Sequence, residues 1–209
     1  MSEGDSIAQR QTIYLAVGNP GTRQIVEAMI KTLGHELALV TDSGRQLIDC
    51  VLQCQPDLCI ATPILSDMDG IEALIAIGIQ CPTASVLIAR DADLDKVERA
   101  MEDHVMAYLV EPITAEDLVP AIYLSIRRFR YFQSLRGEIS KLETQLEQRK
   151  MIEKAKGIIM QTRSCSEAEA HRFLQQSARS SRQRLADIAK KLVEADNLLH
   201  PPTTGSGSA

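Results

Sequence analysis

A chain of 209 residues suits two small domains or one domain with an appendage, and 44% apolar against 24% charged residues excludes a disordered polymer. The polar, acidic start MSEGDSIAQRQ carries no signal pattern and no apolar run reaches the length of a bilayer span, so a cytoplasmic protein without a membrane partner is expected. The net charge of −5 hides an asymmetry: residues 1–125 hold 7 Lys+Arg against 19 Asp+Glu, whereas residues 126–209 hold 16 against 9. Only the second half has the sign that phosphates select, because cations there displace condensed counterions.

In chain order, residues 12–17 (TIYLAV) form a short apolar, β-branched run that ends in Gly18-Asn19-Pro20-Gly21, a strand followed by a turn. Residues 22–33 place Ile25, Val26, Ala28, Met29 and Leu33 at helical spacing, and Gly34 stops the helix. Residues 36–40 read as strand, and 43–54 as helix with Leu47, Ile48, Val51 and Leu52 inward. Strands are expected at 57–62, 84–89 and 106–110, and helices at 70–78 and 94–102. The alternation predicts an α/β fold, a five-stranded parallel sheet with helices on both faces, since continuously apolar strands fit burial on both sides. Five cysteines (Cys50, Cys54, Cys59, Cys81, Cys165) lack the paired spacing of a zinc site and read as free buried thiols, so no metal or other cofactor is expected.

The functional crevice of such a sheet lies at the carboxyl ends of its strands. Pro56-Asp57-Leu58 with Met68-Asp69-Gly70, and the segment AYLVEP at 107–112, make residues 11–125 resemble a response-regulator receiver domain, of the flavodoxin- and CheY-like class. The resemblance implies an acidic metal-binding pair, a phosphate-accepting Asp, a Ser/Thr and a Lys. Those positions here hold Val17 and Gly18, Thr62, Ala89 and Glu111, a degenerate set. Val17 and Gly18 offer a divalent cation no side-chain oxygen, the Thr62 hydroxyl lacks an activating base, and Glu111 repels a phosphoryl group. Asp67 and Asp69 are read as turn and helix-cap residues, and His35 and His104 as capping or surface residues.

From Thr114 a Thr-x-x-Asp cap opens a helix in which Pro120 predicts a kink or a late start. Phe132, Leu135, Ile139, Leu142 and Leu146 then alternate spacings of three and four, a heptad seam suited to a coiled-coil homodimer; the same stripe also fits an amphipathic helix packed within the chain. Residues 126–150 are accordingly read as a linker helix. Beyond it, Ile152, Ala155, Ile158, Ile159 and Met160 are apolar, 163–165 break the helix, Ser166 and Glu169 form a capping box, and Ser180-Ser181 are placed to cap a third helix with Leu185, Ile188, Ala189, Leu192 and Val193. Residues 150–200 thus read as three helices sharing one small core, and 201–209 as a disordered tail.

At IEKAKGIIM, CSEAEAHRFLQQSA and the following R-x-x-R-x-x-L-x-x-I-A the chain resembles the ANTAR domain, the RNA-binding module of AmiR- and NasT-like antitermination response regulators. That resemblance implies a dimer binding paired hairpins in nascent leader transcripts, under a sensor protein or another input. The candidate RNA-binding residues are Arg149, Lys150, Lys154, Lys156, Gln161, Arg163, Arg179, Arg182 and Arg184: cations for phosphate, Arg also for stacking on bases, and Gln161 for a base edge. A signalling scaffold whose helices bind a partner protein, or a DNA-binding regulator, is the rival reading. No nucleophile–base pair appears, so no enzyme is expected.

Overall fold

The computed structural model describes residues 10–90 and 105–199. The helix expected at 94–102, His104 and the tail at 201–209 lie outside the described residues. The chain divides into two compact units, residues 1–134 and 135–209.

In the first unit β1 (Thr12–Ala16), α1 (Pro20–Thr32), β2 (Glu36–Thr41), α2 (Gly44–Gln53), β3 (Leu58–Ala61), α3 (Gly70–Gln80), β4 (Ala84–Ala89) and β5 (Val105–Val110) follow one another. The five strands are parallel in the order β2-β1-β3-β4-β5. Alternation of side chains divides each strand between two cores. Ile13, Leu15, Ile60, Val86 and Ile88 pack with Val26 and Ile30 of α1 and with Leu118, Ile122 and Ile126 from the helix after β5; Tyr14, Ala16, Cys59, Ala61 and Leu87 pack with Leu47, Val51, Ile71, Leu74 and Ile77 of α2 and α3. Because both faces are covered, both alternating sets must be apolar, which is why the strands read as continuous apolar runs.

Local chemistry sets the helix ends. α1 begins two residues earlier than its apolar spacing suggests, because the Asn19 side chain accepts from the Gly21 and Thr22 amides and Pro20 supplies a first-turn residue that needs no donor. It stops at Gly34, whose φ of 80° leads the chain into β2. Leu52, expected inward, is 49% exposed, and Ile25 and Ala28, read at helical spacing on α1, are exposed as well.

After β5 a single helix, α4 (Ala115–Arg163), runs for 49 residues from the first unit into the second. Thr114 and Asp117 cap it reciprocally: the Thr114 amide and hydroxyl donate to Asp117 Oδ2, and the Asp117 amide donates to Thr114 Oγ1. Pro120, the sixth residue of the helix, lies inside it and does not delay its start, which is at Ala115. In the second unit the end of α4 packs with α5 (Glu167–Ser181) and α6 (Leu185–Leu199) around Ala155, Ile159, Ala170, Leu174, Ala189 and Val193. Three of those six are alanines, which lets the helix axes approach closely.

Candidate functional site

The ends of β1, β3, β4 and β5 bring four of the five positions singled out for the crevice to one cavity of about 460 Å³: Gly18, Thr62, Ala89 and Glu111. Val17 is fully buried in the sheet core and does not line it. Thr62 follows β3 and is itself buried; its hydroxyl accepts from the Gly18 amide and donates to the Ile64 carbonyl, both at 3.3 Å. Gly18 is required there, because a Cβ would strike the Ile64 carbonyl oxygen. Glu111 is half-buried and already engaged: Thr22 Oγ1 donates to it at 2.7 Å and the Arg90 guanidinium pairs with it at 3.5 Å.

Asp67 and Asp69 do not point into a metal site. Asp69 caps α3 by accepting from the Ile71 amide at 2.7 Å. Asp67 reaches across to α2, where it accepts from the Ser43 hydroxyl and the Gly44 amide at 2.7 Å and from the Arg45 amide at 3.2 Å. These bonds, that from Ser43 first, hold its carboxyl below the ordinary range. A divalent cation needs carboxylate or carbonyl oxygens converging on one point, and Val17, Gly18, a hydrogen-bonded Thr62 and two helix-capping aspartates do not form that set. Among the described residues no cluster of His, Cys, Asp and Glu is arranged for a metal ion.

His35 and Cys59 of this unit do not line the cavity. His35 Nδ1 accepts from the Gln11 amide at 3.4 Å, and partial burial lowers its pKa. Cys59 is buried and burial pushes its thiol up, whereas Cys54, the C-cap of α2, is exposed, contrary to the expectation that all five thiols are covered. Arg90, Asn19 and Tyr108 also line the cavity; sequence reasoning did not assign them to it, although each lies at or beside a strand's carboxyl end.

In the helical unit, the periodicity of α4 separates the expected basic residues into two stripes. Arg149, Lys156 and Arg163 recur every seven residues along one stripe; Lys150, Lys154 and Gln161 lie along the other. The first stripe is largely used internally. Lys156 is only 8% exposed, and its ammonium pairs with Glu153 at 2.8 Å and with Glu167 at 2.6 Å. The hydrogen bonds to Glu153 and Glu167 raise its pKa, and that from Lys156 lowers the pKa of Glu167. Lys156 is therefore withdrawn from the exposed basic face on which it was expected. Arg163 is exposed but lies over the Phe173 ring at 3.8 Å, fastening the end of α4 to α5 by a cation–π contact. Arg149, Lys150, Lys154 and Gln161 are exposed.

The other three cations surround the turn between α5 and α6. Arg179 sits in the last turn of α5, Arg182 is its C-cap and Arg184 immediately precedes α6; all three are exposed. Ser180 and Ser181 do not cap α6 as expected: both hydroxyls donate back to the Ser177 carbonyl, so they close α5. Arg182 has φ of 53°, a left-handed conformation that favours glycine. At the other turn, Ser166 and Glu169 form the expected capping box, and the bonds from Ser166 lower the Glu169 pKa. Glu167 and Phe173 are the residues that sequence reasoning missed; each lies beyond a helix break, where helical periodicity no longer relates it to Lys156 or Arg163.

A family model of the response regulator receiver domain matches residues 14–123, and one of the ANTAR domain matches residues 140–193. The transcriptional regulatory protein PdtaR of Mycobacterium tuberculosis is 30% identical over 193 residues, which span 92% of this chain and 94% of that protein. The chain belongs to the ANTAR-domain response regulators. A second relative of this ANTAR response regulator, the nitrate regulatory protein of Klebsiella oxytoca, is 24% identical over 135 residues, 65% of this chain and 32% of that protein. Among solved structures, a response regulator receiver domain protein from Clostridium thermocellum aligns with TM-score 0.52 and 24% identity over 58% of this chain and 98% of its own. NtrX from Brucella abortus aligns with TM-score 0.55 and 19% identity over 64% of this chain and 30% of its own. Both share the receiver fold. The matched relatives are regulators, and no described helix of this ANTAR response regulator is long and apolar enough to cross a membrane.

Proposed function

We propose that this chain is a transcription antitermination regulator that, as a homodimer, binds paired hairpins in nascent leader RNA through residues 150–200. In this reading residues 126–150 are the coiled-coil linker, and residues 11–125 are a pseudo-receiver that takes its input from a sensor protein or another ligand and not from phosphorylation. The observation that carries it is the arrangement along α4. Phe132, Leu135, Ile139, Leu142 and Leu146 are all at least 36% exposed, an apolar stripe that a second copy would cover, and the same helix continues into the exposed cations Arg149, Lys150 and Lys154. Two chains joined along that stripe present two basic modules, which matches two RNA elements better than one.

Arg179, Arg182 and Arg184 add cations beside the first turn of α6, where the helix dipole reinforces positive potential. Phosphate and shape contacts should dominate recognition, with few loop bases read directly, since Phe173 is already covered by Arg163 and no aromatic stacking platform is evident among the described residues of this unit. The decisive experiment is a binding titration of the full chain against a double-hairpin leader RNA, a single hairpin and duplex DNA at several salt concentrations. Salt-sensitive binding of the double hairpin alone is expected. Equal affinity for duplex DNA, or no nucleic-acid binding at all, would replace this reading with a DNA regulator or a protein scaffold.

A further inference from the structure

The crevice at the strand ends has changed its chemistry without filling in. Its walls are apolar, with Pro20, Ile64, Leu65, Ile88 and Ala89 among the lining side chains, around a cavity of about 460 Å³. That size falls within the roughly 300–1,000 Å³ of small-molecule sites. The charges at its rim are paired off. Arg90 lies 3.5 Å from Glu111, whose other oxygen accepts from Thr22, and Asp42 lies 3.9 Å from Arg23 and accepts weakly from Ser66. The lining residues themselves carry one cation, Arg90, and two anions, Asp42 and Glu111, a balance that repels an anionic ligand, and any ion entering would lose hydration against apolar walls.

Two polar handles remain. The Asn19 side-chain oxygen is occupied by the amides of Gly21 and Thr22, while its amide nitrogen has no partner among the described residues. The Thr62 hydroxyl makes only long bonds of 3.3 Å, so it can turn toward a better partner. We infer that this cavity is a binding site for an uncharged small molecule with an apolar body and a carboxamide-like polar end. The amide nitrogen of Asn19 would donate to the ligand carbonyl, and Thr62 would bond the same polar end. The losses at Thr62 and Ala89 that remove phosphate chemistry are, in this view, what makes room for a neutral ligand.

Benzamide and benzoate, equal in size and different in charge, test this on the full chain by ligand-observed saturation-transfer NMR with titration. Benzamide binds, and benzoate binds about tenfold more weakly or not at all. Ala89→Leu, which fills the cavity from β4, abolishes the benzamide signal. Ile64→Glu places a charge on the rim at a residue that is 82% exposed and outside the core, so it leaves the fold intact and weakens benzamide about tenfold. Should Ala89→Leu fail to fold, Ile64→Glu decides by itself. Absence of benzamide binding, binding of benzoate equal to that of benzamide, or benzamide binding unchanged by Ile64→Glu would overturn the inference.

Discussion

The Lys156 ammonium donates to the Glu167 carboxylate at 2.6 Å, joining the end of α4 to the first turn of α5 across the break at Ser164–Ser166. A lysine that belongs by sequence to a basic binding surface is thereby turned into a part of the three-helix core. Its stem is covered, whereas the Glu167 side chain is 67% exposed, so removing Lys156 costs the two ion pairs and leaves the carboxylates in solvent.

Lys156→Met therefore lowers the thermal midpoint of the helical unit, whereas Lys150→Met, at an exposed position, does not. The pH dependence has a definite sign. Lys156 has a raised folded pKa, so its contribution is complete below the ordinary lysine value and is lost as pH rises through the raised one. Glu167 has a lowered folded pKa, so its contribution is present above the ordinary glutamate value and is lost as pH falls through the lowered one. NMR titration checks the coupling: in Lys156→Met the Glu167 carboxyl titrates nearer the ordinary glutamate value, and an unchanged Glu167 titration contradicts the pair.

Ile139 and Leu142 are 55% and 63% exposed and belong to none of the three cores. Ile139→Glu with Leu142→Glu leaves the fold of a single chain in place and halves the mass measured by sedimentation equilibrium. A mass unaffected by the double change would show that the stripe is not the dimer seam.

Arg182 separates stability from binding, because its left-handed backbone favours glycine while its exposed side chain is placed for RNA. Arg182→Gly stabilises the helical unit by about 1 kcal/mol, from the relieved backbone. The same change weakens RNA binding and reduces the salt slope by about 0.7–0.9, the share of one phosphate contact. Stability and affinity moving together would point to a purely structural role.

The crevice predicts an inert response to phosphoryl chemistry. Acetyl phosphate, or BeF₃⁻ with Mg²⁺, leaves both the sedimentation mass and the RNA affinity unchanged, since Thr62 offers a hydroxyl where a carboxylate would accept the phosphoryl group and Glu111 stands where a cation would be required. A stoichiometric phosphoprotein on a Phos-tag gel would contradict this.

The strand–helix alternation, the parallel sheet and the long helix with its apolar stripe were legible from residue order alone, because burial on both sheet faces makes each strand a continuous apolar run and an apolar face on one side of a helix repeats about every three and a half residues. So were the Ser166–Glu169 box and the stop at Gly34, whose partners lie within a few residues. Contacts across larger separations were decided only in three dimensions. Asp67 caps α2 from a loop 23 residues away, Thr22 reaches Glu111 across 89, and Phe173 receives Arg163 from beyond a helix break. Residue types showed which chemistry the crevice lacks and which half of the chain carries the positive charge. Tertiary packing decided which of those charges remain available, because a cation 2.6 Å from a carboxylate and one standing in solvent are the same letter in a sequence.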